Sequence, residues 1–273
     1  MNNRILVFTD LDGTLLDRRT YSFEPARPAL RLLRESGIPL IICTSKTRAE
    51  VEEIREALGN TDPFVVENGG AVFVPEGYFS IALEAARTDS GYLIVEMGTS
   101  YSRILSVFSR MKERLPGRLR GFSDLTIKEV ARLTGLSFEE AARAKEREYD
   151  EPFVLDDPAA NLDAVREMAE SAGLSISRGR FFHLTGDNDK GRAVRLVKDI
   201  YARTDGITPR TIGLGDSPND LPLLENVDFP VLVQKPGGRY EPSIRMDNLI
   251  LAPGEGPIGW SVAVRELAER LTG

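Results

Sequence analysis

The stretch Arg4-Ile5-Leu6-Val7-Phe8-Thr9-Asp10-Leu11-Asp12-Gly13-Thr14 decides the fold. Its first half is an unbroken apolar run of strand length, the pattern of a strand covered on both faces in a parallel sheet. Its second half sets two carboxylates where that run stops, and Gly13 then lets the chain turn sharply. In open α/β sheets, ligands bind just outside the carboxyl ends of the strands. Two carboxylates held close together repel, so they are costly unless a cation or a reaction uses them. A plain turn uses the same residue types, however. Taken alone, the stretch is compatible with either.

Working outward, Pro25 and Pro28 open a helix with Leu30 and Leu33 on its buried side, and Gly37 stops it. Ile38 to Cys43 is a second apolar run that ends in Thr44-Ser45-Lys46. Thr47-Arg48-Ala49-Glu50 has the capping-box form, and Val51, Ile54 and Leu58 continue at helical spacing to Gly59. Phe64-Val65-Val66 reads as a third strand, which Glu67-Asn68-Gly69-Gly70 turns back into Ala71 to Val74. This β-α-β-α-β order predicts a parallel sheet with covering helices.

Beyond residue 84 the pattern changes. A strand at Tyr92–Met97 is followed by helices at Ser102–Leu115 and Ser137–Glu148, Phe138 being the apolar anchor of the second, and then by a strand at Phe153–Leu155, a helix at Leu162–Ala172 and a strand at Leu174–Leu184. From Asp187 the parallel style returns. It runs through a helix carrying Ala193, Leu196, Val197 and Ile200 to a strand at Thr211–Leu214. The acidic loop Gly215-Asp216-Ser217-Pro218-Asn219-Asp220, a strand at Phe229–Val233 and a helix at Trp260–Leu271 complete it. The expectation is an α/β fold: a Rossmann-like parallel sheet core of residues 1–84 and 187–273, with an α+β cap inserted over 85–186.

The net charge is −7 and the pI about 5.1, a balance that argues against nucleic acid or an anionic membrane as partner. An anionic substrate must then meet a local basic site. Cys43 is the single cysteine, which excludes an internal disulfide and a thiolate metal cluster. No apolar run approaches the roughly 20 residues that span a bilayer. The first residues enter a strand directly, without the pattern of a signal peptide. A cytoplasmic enzyme, monomer or homodimer, with a small phosphorylated molecule as its partner fits these features.

Three strand ends carry polar groups: Asp10/Asp12, Thr44/Ser45 and Asp216/Asp220. A parallel sheet gathers such ends, so carboxylates remote in sequence can share one cation. Phosphoryl transfer uses the whole set, because its catalysis rests on positioning and on stabilising charge at the phosphoryl oxygens. Mg²⁺ takes oxygen ligands and keeps several waters. Asp10, the carbonyl of Asp12 and Asp216 can supply its protein ligands, with Asp220 beside them. Asp10 would attack phosphorus, and Asp12 would protonate the leaving oxygen and then take a proton from the hydrolytic water. Thr44 or Ser45 would donate a hydroxyl to the phosphoryl group. Lys190, at the start of a helix, would offset its charge.

Asp10-Leu11-Asp12-Gly13-Thr14, the Thr44/Ser45 hydroxyl, Lys190 and Gly215-Asp216-Ser217-Pro218-Asn219-Asp220 resemble, in order and type, the four motifs of the haloacid dehalogenase superfamily of phosphatases. The middle block resembles the larger α+β cap of its sugar-phosphatase branch. The resemblance implies a Mg²⁺-dependent aspartyl-phosphate mechanism with the roles above. One departure stands out: that branch usually reads Thr-Gly-Arg where this chain has Thr44-Ser45-Lys46.

Finer features, Thr44 to Arg48, Glu67-Asn68-Gly69-Gly70, Arg178 to His183 and Gly256 to Trp260, look like the mannosyl-3-phosphoglycerate phosphatases. Those enzymes make the compatible solute mannosylglycerate by removing phosphate from its precursor. Arg178 and Arg180 alternate along one expected strand and would share a face. They form either a guanidinium pair for the glycerate carboxylate or an exposed strand edge. Asn68, Gly69 and Gly70, with Glu67, could meet sugar hydroxyls or simply make a turn, and Lys46 could bind substrate or cap a helix. His183, the single histidine, reads as a packed structural residue, and Trp260 as packing. The rival activities are phosphatases for sucrose, glucosylglycerate or hexose phosphates, a phosphomutase, and a phosphate-sensing binding protein without turnover.

Overall fold

The computed structural model describes residues 4–84 and 86–272. Ala85, where the first boundary of the inserted block was expected, lies outside them. In chain order the elements are β1 (Ile5–Thr9), α1 (Arg27–Glu35), β2 (Leu40–Cys43), α2 (Arg48–Leu58), β3 (Phe64–Val66) and β4 (Ala71–Pro75). There follow β5 (Arg87–Asp89), β6 (Tyr92–Glu96), α3 (Tyr101–Arg114), β7 (Leu119–Gly121), α4 (Ile127–Thr134), α5 (Phe138–Arg143), β8 (Asp150–Leu155), α6 (Pro158–Ser171), β9 (Ser175–Arg178) and β10 (Phe182–Thr185). The chain ends with α7 (Lys190–Asp205), β11 (Arg210–Gly215), α8 (Leu221–Glu225), β12 (Phe229–Gln234), β13 (Ile250–Glu255) and α9 (Gly256–Thr272).

Nine strands form one sheet in the order β13-β12-β11-β1-β2-β3-β4-β6-β5. Pairing is parallel from β13 to β3 and antiparallel beyond. β1 lies between β11 and β2, so the chain moves one way from β1 for its first crossovers and the other way when it returns. This reversal opens a crevice at the carboxyl end of β1. Helices α1 and α9 pack on one face, through Ala29, Leu33, Trp260, Val264 and Leu267. Helices α7 and α8 pack on the other, through Val194, Val197, Tyr201, Leu223 and Leu224. Both faces are covered, and β1 and β2 are accordingly buried at every position and apolar at all but Thr9.

A second sheet, β7-β8-β10-β9, is antiparallel throughout. Helices α3 and α6 cover it, through Ile104, Phe108, Phe153, Val165 and Leu184. The two chain crossings between the sheets run side by side. A Cβ on Gly186 would meet Thr99 Oγ1 at 2.5 Å, and one on Gly98 would meet Tyr149 Cβ at 3.0 Å.

Three expectations about the middle block change. Tyr92–Met97 belongs to the large sheet, since β6 pairs with β4, so the chain leaves that sheet after Glu96 and not near residue 84. The charged helix expected to reach Glu148 ends at Arg143, and Phe138 is 63% exposed instead of anchoring it. The long strand at Leu174–Leu184 is a hairpin, β9 and β10, with Arg178 paired to Phe182 and Gly179 N–H donating to Phe181 O at the turn. Sequence reading also passed over α4 and β13. β13 carries Pro253, which an edge strand tolerates because one side of its ladder needs no donor.

Candidate active site

The carboxyl ends of β1, β2 and β11 converge. Asp10 follows β1 and donates its backbone N–H to Leu214 O at 3.0 Å, which ties it to β11. Lys190, the first residue of α7, is fully buried and bonds Asp10 Oδ1 at 2.7 Å and Asp220 Oδ1 at 2.6 Å. Asp220 Oδ2 accepts the backbone N–H groups of Asp216 and Ser217, each at 3.0 Å. Asp216 takes the Ser217 hydroxyl at 2.8 Å and Arg18 Nη1 at 2.9 Å. The carboxylates of Asp10, Asp216 and Asp220 each bring an oxygen within 4.8 Å of the others.

These groups fit a divalent cation. Three buried carboxylates face one buried lysine, an excess of negative charge that the interior does not tolerate without a counter-ion. Arg18, at the cavity wall, meets only Asp216. Gly13 sits at φ +86°, and a Cβ there would come within 3.0 Å of Asp216 Oδ2, so glycine leaves that oxygen room. Both oxygens of Asp220 are already occupied, one by Lys190 and one by two amides. It anchors Lys190 and shapes the Asp216 loop, beside the other two carboxylates of the acidic trio. The Asp12 carboxylate pairs with Lys46 Nζ at 3.1 Å and lies outside the acidic trio.

Burial is the main electrostatic force at this centre. It raises Asp10 to about 8, the charge of Asp220 adding to the effect and Lys190 opposing it. Asp216 is raised to about 6, again by burial and then by Asp220. Burial disfavours the Lys190 ammonium, yet Asp10 and Asp220 outweigh it and hold the lysine charged.

A cavity of about 360 Å³ opens in front of Asp10, between the two sheets. On the large-sheet side it is lined by Asp10, Asp12, Arg18, Ser45, Lys46 and Asp216. On the other side stand Phe122, Arg147, Arg180, Phe181 and His183. Ser45 lines the cavity. Thr44 is buried, and its Oγ1 accepts the Lys46 N–H at 3.3 Å. Lys46 both faces the cavity and bonds Glu50 at 3.3 Å, beside the capping box of α2.

The Glu67–Gly70 turn stands apart from the cavity. Glu67 is buried, and its carboxylate accepts the backbone N–H groups of Glu148 and Tyr149 at 2.8 to 3.2 Å. Asn68 bonds Asp150 and Asn219. A Cβ on Gly69 would strike Asp189 O at 2.2 Å, and one on Gly70 would strike Tyr149 Cβ at 2.4 Å. The two glycines let segments pack closely. Arg178 and Arg180 do not share a strand face, because the hairpin turn separates them. Arg178 is exposed with its guanidinium over the Phe182 ring, whereas Arg180 reaches the cavity and donates to Leu133 O and Thr134 O at the end of α4.

Three contributors carried no clear signal in the sequence. Arg18 meets Asp216 from an irregular loop. Arg147 is buried between the sheets and donates to Ser45 O at 2.8 Å. Trp260 Nε1–H donates to Thr9 Oγ1 at 2.9 Å, and that hydroxyl donates to Asp10 O at 2.7 Å. A tryptophan after a Gly/Pro loop, on a helix packed beneath β1, was the one hint of this last chain.

Strand-end acids, a buried lysine and a second sheet closing over them define a capped α/β hydrolase. The sequence pattern of the haloacid dehalogenase-like hydrolases matches residues 7–88. A glucosyl-3-phosphoglycerate/mannosyl-3-phosphoglycerate phosphatase of Methanococcoides burtonii is 48% identical over 263 residues, which cover 96% of either chain. An enzyme of the same name from Persephonella marina is 42% identical over 95% of this chain and 96% of its own. A solved sugar phosphatase of subclass IIB of the superfamily shares the fold, with a TM-score of 0.65 at 18% identity over 96% of this chain and 98% of that one. The chain belongs to the haloacid dehalogenase-like hydrolases and is a phosphoric monoester hydrolase. Among the described residues, no helix is long and apolar enough to cross a membrane.

Proposed function

We propose that this phosphatase is Mg²⁺-dependent and removes phosphate from mannosyl-3-phosphoglycerate and its glucosyl counterpart, leaving the glycosylglycerate. The observation that carries the reading is Asp10: one oxygen is held by Lys190, and the carboxylate faces a cavity whose far wall is cationic and aromatic. The names of the two relatives supply the substrate. The second sheet, between Gly98 and Gly186, acts as the cap over this site.

Asp10, Asp216 and the carbonyl of Asp12 would hold Mg²⁺, which when bound neutralises charge on the phosphoryl oxygens. Asp10 attacks phosphorus in line, forming an aspartyl-phosphate as the bond to the glycerate oxygen breaks. Asp12 in its acid form gives that oxygen a proton. It then takes one from the water that attacks the aspartyl-phosphate, so Asp10 is regenerated and phosphate leaves. Lys46 keeps Asp12 beside the reacting bond. Ser45, the hydroxyl that lines the cavity, donates to a phosphoryl oxygen, and Lys190 holds Asp10 in line. Arg147 and Arg180 make the cap wall positive, as the glycerate carboxylate requires.

Phosphate release with Mg²⁺ should be at least about tenfold more efficient on the glycosyl-3-phosphoglycerates than on sucrose phosphate or hexose phosphates, a margin of about 1.4 kcal/mol. EDTA should abolish it. A preference for the simple sugar phosphates would overturn the substrate reading, and hexose phosphate isomerised without phosphate release would point to a mutase.

A further inference from the structure

His183 enters the structure as more than packing. It lies on β10, 5% exposed, and its Nδ1 is 2.7 Å from Oδ2 of the fully buried Asp150 on β8. The same carboxylate oxygen accepts Asn68 Nδ2–H at 3.4 Å, and Arg147 Nη1 stands 3.7 Å away. Asn68 in turn accepts Asn219 Nδ2–H at 3.2 Å. A chain of polar side chains thus runs from the loop after β11 to the histidine ring. In the neutral ring, an acceptor at Nδ1 puts the proton there and leaves Nε2 with a free lone pair. Among the described residues Nε2 has no hydrogen-bond partner, and His183 lines the cavity in front of Asp10. Gly179 lies beside this nitrogen: a Cβ there would sit 3.9 Å from Nε2, at ordinary contact distance.

We propose that His183, oriented by Asp150, reads a hydroxyl of the leaving group through Nε2. The chemistry of a lone pair selects the partner. A phosphate dianion and a carboxylate offer no proton to an acceptor, whereas a sugar hydroxyl does. The ring stands on the cap wall, opposite Asp10 and beside Phe181 and Phe122, whose rings meet edge to face at 5.2 Å. That wall suits a glycosyl group, and the guanidiniums of Arg147 and Arg180 remain for the acid. The assignment rests on the substrate reading above and adds a contact that distinguishes the sugar from the rest of the molecule.

The test compares mannosyl-3-phosphoglycerate with 4-nitrophenyl phosphate, whose leaving group bears no hydroxyl beyond the reacting oxygen. His183→Asn keeps a donor toward Asp150 and deletes the acceptor at Nε2. It should lower kcat/KM on the glycosyl substrate about tenfold, chiefly through KM, the scale of one lost neutral hydrogen bond. On 4-nitrophenyl phosphate it should stay within about twofold of the wild type. His183→Gln, whose amide reaches the Nε2 position, should recover part of the loss. Asp150→Asn can donate to Nδ1 and turn Nε2 into a donor, so it should reproduce the KM effect on the glycosyl substrate alone. Equal losses on both substrates, or none on the glycosyl substrate, would overturn the proposal. Wild-type enzyme that ranks the glycosyl substrates no higher than hexose phosphates sinks the substrate reading separately, before any variant is made.

Discussion

The large-sheet half of the cavity and its cap half are built on opposite plans. On the large sheet, Asp10, Asp216, Asp220 and Lys190 satisfy one another at 2.6 to 2.7 Å or through backbone amides, and each sits where a strand or helix begins or ends. On the cap, Arg147 comes from the segment before β8, Arg180 and His183 come from the β9–β10 hairpin, and all three are held by carbonyls or a buried aspartate. The first arrangement is a buried cluster of three carboxylates around one lysine, in which removing a partner leaves a buried charge unpaired. The second is a wall drawn from loop and hairpin, in which Arg180 is held by backbone carbonyls. On the proposed function, reaction chemistry belongs to the first plan and substrate choice to the second.

That division is open to direct attack. Asp10→Asn should lower turnover on every substrate by roughly 10⁴-fold or more with the circular dichroism spectrum unchanged; residual activity near wild type would remove Asp10 as nucleophile. Ser45→Ala should cost about 10- to 100-fold in kcat/KM on glycosyl and simple phosphates alike. Thr44→Val, at a buried hydroxyl, should act on stability first, and if the larger kinetic loss fell at Thr44 the assignment of the phosphate donor would be reversed. On the cap, Arg180→Ala should cost about tenfold, and only with substrates bearing the glycerate carboxylate, while the exposed Arg178→Ala should change kinetics by less than about twofold. Equal effects at the two arginines would erase the distinction the hairpin makes between them.

The smallest effect concerns Glu67, which joins the two halves by capping Glu148 and Tyr149. Burial raises its carboxyl to about 8, so the folded protein holds that proton more tightly than the unfolded chain does. Its contribution to stability is complete below about pH 4.5 and is lost as pH rises toward 8, at up to about 1.4 kcal/mol per pH unit. Urea unfolding of Glu67→Gln should therefore show a flatter pH dependence between pH 5 and 8 than the wild type. An unchanged slope would mean that Glu67 stays ionised across this window.

Reading the sequence worked well where structure is local. The run from Ile5 to Asp10, the Thr47–Glu50 capping box and the Asp189–Lys190 helix start each carry their own period or cap, and all three stand as read. It went astray where the answer lay in a partner. Phe138 looked like an anchor because it was the large apolar residue of its segment, yet Phe122, Leu125, Val130 and Ala141 form that small core without it. Arg178 and Arg180 looked like neighbours on a strand because nothing local marks the turn at Gly179 except the glycine itself. Glu67 to Gly70 read equally as a binding turn or a plain one, and the neighbours that hold it, Tyr149 and Asp189, lie some eighty and a hundred and twenty residues away.

By itself the sequence determined the family, the α/β order and the four strand-end or helix-start positions that carry Asp10, Ser45, Lys190 and Asp216. A parallel sheet aligns its strand ends whatever its loops do, so reading the strands was enough to predict a shared site. Only the tertiary structure decided that Asp220 serves Lys190, that Trp260 reaches Asp10 through Thr9, and that His183 turns a free nitrogen toward the cavity. Each of these depends on which remote group satisfies a buried polar atom, and that choice is made by packing between segments, after each segment has taken its own local form.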